Sequence, residues 1–69
     1  MKKLPRLYDL VVTSHAADAT LFRVREIAGR FKVGVIDATI EQTHPNQSVQ
    51  WVDVSMLMPP TRAQIAKML

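Results

Sequence analysis

The chain has no cysteine, and this excludes disulfide bonds and thiolate metal sites as supports for its fold. Its 69 residues can form one domain at most. A domain of that size buries only about 60% of the surface that its unfolded chain exposes, so its core is marginal. Association is the remaining common support. We therefore expect a single domain over residues 1–69 that forms a homo-oligomer or binds a larger protein partner.

Long apolar runs are absent as well, because no segment approaches the roughly 18 apolar residues of a membrane helix. The charged start resembles that of a signal peptide. However, the apolar stretch Leu7–Thr13 is interrupted by Asp9 and is not followed by a small-residue cleavage site. The sequence therefore predicts neither a membrane span nor a signal peptide. Together with the absence of cysteine, this favours a cytoplasmic protein.

The positive charge is concentrated at the N-terminus. The net charge is +3, from nine Lys or Arg and six Asp or Glu. Lys2, Lys3 and Arg6 lie in the first six residues, and without them six charges of each sign remain. Such a basic tail attracts phosphates only weakly. We therefore expect a solvated tail, and nucleic-acid binding through it is the weakest of the hypotheses below.

Hydrophobic patterning predicts three strands and two helices. The predicted strands, from their alternation of side chains, are Leu7–Thr13, Val33–Ile40 and Val49–Met58. After the turn at residues 14–18, helical spacing of apolar residues predicts a helix that ends near Phe31; its apolar positions are Leu21, Val24, Ala28 and Phe31. The polar segment 41–48 is typical of a hairpin loop. The resulting order is strand, helix, strand, strand, helix.

The second predicted helix begins after Pro59 and Pro60, which end the third strand. Thr61 and Gln64 have the spacing of a capping box, in which each side chain bonds the backbone of the other residue. The helix would present three apolar residues to the sheet, namely Ile65, Met68 and Leu69. We expect it to be stable only when docked, because it has about two turns.

The βαββα order predicts an α+β protein with a ferredoxin-like split β-α-β sandwich, in which two helices cover one face of an antiparallel sheet. The last strand of that fold is missing or is supplied by a partner. The slot beside the first strand would be open, and an uncovered edge invites pairing with another chain. We therefore predict an interface along the first strand and the exposed sheet face, with Leu7, Asp9, Val11 and Trp51 as its residues.

Trp51 stands in the segment Val49-Gln-Trp-Val-Asp-Val-Ser, which carries one aromatic residue, one acid and no base. RNA-binding sheets of this topology need aromatic side chains interleaved with Lys or Arg, and this segment does not have that pattern. The pattern therefore favours a packing or dimer-interface role for Trp51 over base stacking, and we do not expect nucleic acid as a partner.

Residues suited to catalysis are scattered. His15 and His44, the only histidines, would lie in loops that do not meet, so neither a metal site nor a catalytic pair is expected. The carboxylates Asp9, Asp37 and Asp53 lie on three different strands, where acids usually face water. We therefore predict no catalytic residues, no metal, no cofactor and no enzymatic activity.

A polar cluster follows the first strand and consists of Thr13, Ser14, His15 and Asp18. Ser14 and Asp18 can each cap a helix N-terminus, and helix N-termini favour anions. Capping alone is the commoner explanation of such a cluster. The alternative is a binding site for a small polar effector, such as an amino acid.

Several segments resemble ACT-type regulatory domains, the NIL domains of methionine transporters and the cytoplasmic tail of MgtC-type membrane proteins. The resembling segments are Tyr8-Asp-Leu-Val-Val, residues 21–40, residues 52–58 and Ile65-Ala-Lys-Met-Leu. The resemblance implies ligand sensing or side-by-side dimerisation of sheets. The first hypothesis is thus a non-catalytic regulatory module that dimerises and senses a small polar metabolite; the alternative is a subunit that docks on a larger complex through its open edge strand.

Overall fold

The computed structural model describes residues 5–67. The predictions that rest on Lys2, Lys3, Met68 and Leu69 lie outside these residues. The described chain contains four strands and one short helix: β1 is Leu10–Val11, β2 is Phe22–Ala28, β3 is Lys32–Asp37, β4 is Gln50–Asp53 and α1 is Arg62–Ala66. Two 3-10 turns follow β3 and β4, at Ala38–Ile40 and Val54–Met56.

The four strands form one antiparallel sheet in the order in which they occur along the chain. The sheet curls into a half-barrel, and the segment after β4 returns to β1. There Val12 and Met58 exchange two backbone hydrogen bonds, of 2.9 and 2.8 Å, in an isolated antiparallel bridge. This bridge covers the side of β1 that faces away from β2.

The predicted ferredoxin-like α+β fold is therefore wrong, and the described chain is mostly β. The region predicted to be the first helix forms β2, so no pair of helices covers the sheet. The slot beside the first strand, which was expected to be open, is occupied by Met58. The predicted strand Leu7–Thr13 contains only two residues of regular strand.

A β-bulge explains why β2 has the spacing of a helix. Val24 pairs with Val35 and Glu26 pairs with Gly34, so Arg25 is an additional residue with no partner on β3. Because the bulge shifts the alternation by one residue, Val24 and Ile27 lie on the same face although they are three residues apart. Apolar residues three apart are also the mark of a helix face.

Two apolar clusters lie on opposite faces of the sheet. The face that carries Val24 and Val35, here called the inner face, holds the larger cluster of Val11, Val24, Val33, Val35 and Leu57. The outer face carries the smaller cluster of Val12, Leu21 and Ala38, with Leu10 and Met58 packed against it. Successive residues of one strand point to opposite faces, so the first strand contributes to both clusters.

The second and third predicted strands end earlier than expected, and each ends at an aspartate. The carboxylate of Asp37 accepts the backbone N–H of Thr39, and that of Asp53 accepts the N–H of Ser55, each at 2.9 Å. Each bond begins a 3-10 turn, since Asp side chains compete with strand pairing for nearby N–H groups.

Two local predictions are confirmed. The polar segment 41–48 lies in the connection between the antiparallel strands β3 and β4. The capping box is present at α1: the Gln64 N–H donates to Thr61 Oγ1, and the Thr61 N–H donates to Gln64 Oε1. Both features depend on residues that are close in sequence.

Gly34 has no side chain because Val49 occupies that space on the outer face. A Cβ atom at Gly34 would lie 3.0 Å from both Cβ and Cγ2 of Val49, and rotation of the Val49 side chain about χ1 would not move its Cβ. Gly29 is favoured for another reason, because its φ of 65° in the β2–β3 turn lies in the left-handed region that glycine adopts readily. The space around it is open, since no atom lies within 4 Å of the position of an added Cβ.

We expect Gly34→Ala to lower the free energy of unfolding by about 1–3 kcal/mol, because the added methyl group overpacks a buried site. Gly29→Ala should lower it by about 1 kcal/mol through backbone strain alone, and Gly29→Asn by less. Urea denaturation of the three variants, monitored by Trp51 fluorescence, measures the difference. A Gly34→Ala variant as stable as wild type would contradict the close contact with Val49.

Candidate protein-interaction edge

Strand β4 has one side that no described strand covers. It pairs with β3 through the register Val33 with Val52 and Gly34 with Trp51. Just beyond this register, the Val54 N–H donates to the Phe31 carbonyl at 2.7 Å. Because backbone groups alternate between the two sides of an antiparallel strand, Val52 also faces β3, whereas the N–H groups of Trp51 and Asp53 point to the open side.

The open side of β4 lacks two of the common protections against pairing. The strand reads Gln50-Trp51-Val52-Asp53, with no Lys and no Pro. Natural edge strands commonly use such residues, or a bulge, to prevent association. Trp51 lies on the outer face opposite Gly34, which has no side chain to cover it, and the Trp51 side chain is 47% exposed.

An apolar cleft lies beside this edge on the inner face. Its volume is about 210 Å³, and its lining residues are Thr13, Phe22, Val35, Gln50, Val52 and Leu57. Gln50 and Val52 belong both to the cleft wall and to β4. A strand added to β4 would therefore place its inner-face side chains next to the cleft.

Asp53 ends β4 and is held by hydrogen bonds. The backbone N–H of Ser55 is the main cause of a pKa below the ordinary value of 3.8, and the Ser55 hydroxyl and the Lys32 cation act in the same direction. Lys32 is its direct cross-strand neighbour on β3. The backbone of Asp53 has φ −72° and ψ 135°, which are values that proline can also adopt.

The four residues predicted to bind an effector do not lie at a helix N-terminus. Thr13 lines the apolar cleft, whereas the others belong to the loop 14–18 that packs against α1. His15 Nε2 lies 2.7 Å from the Pro59 carbonyl oxygen, and Ser14 Oγ accepts the Ala16 N–H at 3.2 Å. Asp18 is exposed to solvent.

Gln64 joins this loop to α1. Its side chain is buried, with 3% exposure, and its Nε2 donates to the carbonyls of Ser14 and Ala16 at 3.1 and 3.2 Å. Lys67 Nζ donates to the carbonyl of Ala17. Backbone carbonyls of the loop 14–18, of which only that of Ser14 belongs to the predicted ligand cluster, therefore hold the helix in place.

The predicted interface residues are dispersed. Val11 is fully buried in the inner-face cluster. Asp9 accepts the Arg6 N–H at 2.9 Å within a tight turn, and Leu7 is half exposed beside it. Of the four, only Trp51 lies at the open edge. The sequence did not reveal the outward N–H of Asp53, because its direction depends on the register between β3 and β4.

Arg23 and Arg25, which fall within the predicted first helix, lie on β2 and are bound to Glu41. Arg23 Nε is 2.7 Å from Glu41 Oε1, Arg23 Nη1 donates to the Tyr8 carbonyl at 2.9 Å, and Arg25 Nη1 is 3.5 Å from Glu41 Oε2. Tyr8 has a positive φ of 71°, which is uncommon for an aromatic residue. These bonds tie the start of the sheet to the loop after β3 and partly neutralise both cations.

Within residues 5–67, no group of three His, Asp or Glu side chains is arranged to hold a metal ion. Over the same residues, the structure contains no helix with the length and apolar character needed to cross a membrane.

Comparisons with protein-family models, with curated proteins and with solved structures gave no match to this chain. The resemblance to ACT-type domains therefore stays a prediction.

We expect Gln64→Leu to lower the free energy of unfolding by about 1–3 kcal/mol, because two carbonyls lose the donor that the buried Gln64 side chain supplies and the capping box is broken. Gln42→Leu, at an exposed position in the β3–β4 connection, is the matched control and should change stability by about 0.5 kcal/mol or less. Urea denaturation provides the measurement. Equal effects of the two substitutions would show that Gln64 does not anchor the loop.

The lowered pKa of Asp53 gives a pH dependence of known sign. Its contribution to stability is complete above the unfolded value of 3.8 and is lost as the pH falls through the lower folded value. We expect Asp53→Asn to reduce the loss of stability between pH ~4 and pH ~2. Thermal unfolding across that range tests this, with Asp18→Asn as the control for removal of one negative charge. An unchanged pH profile in Asp53→Asn would contradict the assignment.

Proposed function

We propose that this chain is a non-catalytic protein-interaction module, which binds a partner by adding an extended strand to the open side of β4. The observation that carries the proposal is the side of β4 that no described strand covers, where the half-exposed Trp51 lies near the centre of the strand. In this mode of recognition, backbone hydrogen bonds supply affinity and pockets for alternate side chains supply specificity.

The edge offers both elements of such recognition. The outward N–H groups of Trp51 and Asp53 are backbone donors at an exposed position. The Trp51 indole offers a large amphipathic surface on one face, and the cleft of about 210 Å³ lies on the other. A strand that pairs with β4 would contact both, since its side chains alternate between the two faces.

The arrangement of titratable residues supports a non-catalytic role. His15 lies against the Pro59 carbonyl, and His44 Nδ1 lies 2.9 Å from the hydroxyl of its neighbour Thr43. Asp37 and Asp53 cap 3-10 turns. A general base or nucleophile needs a second group oriented toward it, and these contacts are local and structural.

Effector binding at residues 13–18 remains a proposal with less support than edge docking. The loop's carbonyls at Ser14 and Ala16 already accept from Gln64, and His15 is engaged by Pro59. Nucleic-acid binding also has less support, because Arg23 and Arg25 pair with Glu41.

A pair of substitutions at one position tests the docking proposal. Asp53→Pro removes the outward N–H and keeps a backbone angle that the site already has, whereas Asp53→Ala retains the N–H and loses only the carboxylate cap. Displayed heptapeptides selected on the wild-type protein should bind Asp53→Ala with similar affinity. Their affinity for Asp53→Pro should fall by about tenfold, which corresponds to one lost hydrogen bond.

Fluorescence titration follows the binding, because Trp51 is the only tryptophan of the chain and lies at the proposed contact. Circular dichroism of each variant establishes that the sheet is retained. Failure to select any peptide, or equal binding to both Asp53 variants, would contradict strand addition at β4.

A further inference from the structure

We infer that the strand received by β4 is the β4 strand of a second copy of this chain, paired antiparallel about a two-fold axis through Trp51. This inference rests on the proposed function and names its partner. The pairing would join two half-barrels into one continuous sheet.

The backbone of β4 limits the possible registers. Only Trp51 and Asp53 direct N–H groups outward within the strand, so bonded pairs must form between odd-numbered positions of the two copies. Three symmetric registers pair these positions with each other. The first places Trp51 opposite Trp51 of the second copy, and the second places Trp51 opposite Asp53 of the second copy. The third places Asp53 opposite Asp53, so that two carboxylates lie directly opposite each other.

Electrostatics selects the first of these registers. With Trp51 opposite itself, the two Asp53 residues are offset by four residue steps, which is about 13 Å along the strand and beyond the screening length of about 8–10 Å. Each Asp53 then lies opposite Val49 of the other copy. In the second register the offset is two steps, or about 7 Å, and the two carboxylates repel each other.

The side chains on both faces are compatible with this register. On the outer face, the two Trp51 indoles become direct cross-strand neighbours, beside the positions where Gly34 contributes no side chain. On the inner face, Val52 lies opposite Gln50 of the second copy, next to the apolar cleft that these two residues line. The self-pairing therefore covers the exposed indole and keeps the two Asp53 carboxylates apart.

The expected dimer is weak and concentration-dependent. The contact involves about five residues from each copy, which is less than the roughly 20–30 residues a side of a standard interface. Association would still favour the folded state, because any partner that binds only the folded chain stabilises it by mass action. This is the support that a 69-residue chain without cysteine was expected to need.

The first test is sedimentation velocity of the full chain from low micromolar to millimolar concentration. Wild type and Asp53→Ala should shift from monomer to dimer. Asp53→Pro removes two intermolecular hydrogen bonds per dimer, so its dissociation constant should be about 10- to 100-fold higher. Acrylamide quenching of Trp51 should decrease with concentration in the wild type.

A second test depends on the register and does not use proline. Trp51→Glu or Trp51→Lys alone places like charges opposite each other and should give a monomer at every concentration. An equimolar mixture of the two variants should dimerise, because position 51 faces position 51. Trp51→Gln provides the uncharged comparison and should retain part of the wild-type association.

The outcomes separate this inference from the proposed function. A monomeric wild type that still binds selected peptides at β4 would overturn the second copy as partner and leave edge docking intact. A dimer that Asp53→Pro does not weaken, or a mixture of Trp51→Glu and Trp51→Lys that stays monomeric, would overturn the β4 pairing. A monomer that also binds no peptide would overturn both proposals.

Discussion

The half-barrel depends on the two backbone hydrogen bonds between Val12 and Met58. They return the chain to its first strand after β4, and so place Leu57 in the inner-face cluster beside Val11. They also position α1 near the loop 14–18, where Gln64 and His15 add polar contacts. A chain without cysteine has no disulfide to hold this closure, so it depends on packing and hydrogen bonds that form together.

The features that sequence predicted correctly are those determined by neighbouring residues, such as the Thr61–Gln64 capping box and the polar β3–β4 connection. The fold class was missed because of the residues around Arg25. A bulge there places Val24 and Ile27 on one face, and their spacing of three residues is also that of a helix. Only the pairing with β3, a contact that the periodicity of one segment does not contain, distinguishes the two structures.

The strand ends were missed for a different reason, and here the sequence did contain a signal. Apolar alternation continues past Asp37 into Ala38–Ile40 and past Asp53 into Val54–Met56, so it predicted strands that were too long. Both aspartates are followed two residues later by Thr39 or Ser55, whose N–H they accept. Asp followed by Thr or Ser at this spacing is typical of a turn that competes with strand pairing.

The same closure determines which surface is left for a partner. The sequence predicted an open edge beside the first strand, yet Met58 pairs on that side. In the loop where an effector was expected, backbone carbonyls accept hydrogen bonds from Gln64 of α1 instead. Among the described strands, β4 then retains an uncovered side. The Val54–Phe31 hydrogen bond determines which N–H groups of β4 point to that side. Because closing one edge of a half-barrel does not satisfy the other, the backbone donors of β4 are satisfied only by water or by another strand. Their position beside Trp51 and an apolar cleft favours another strand.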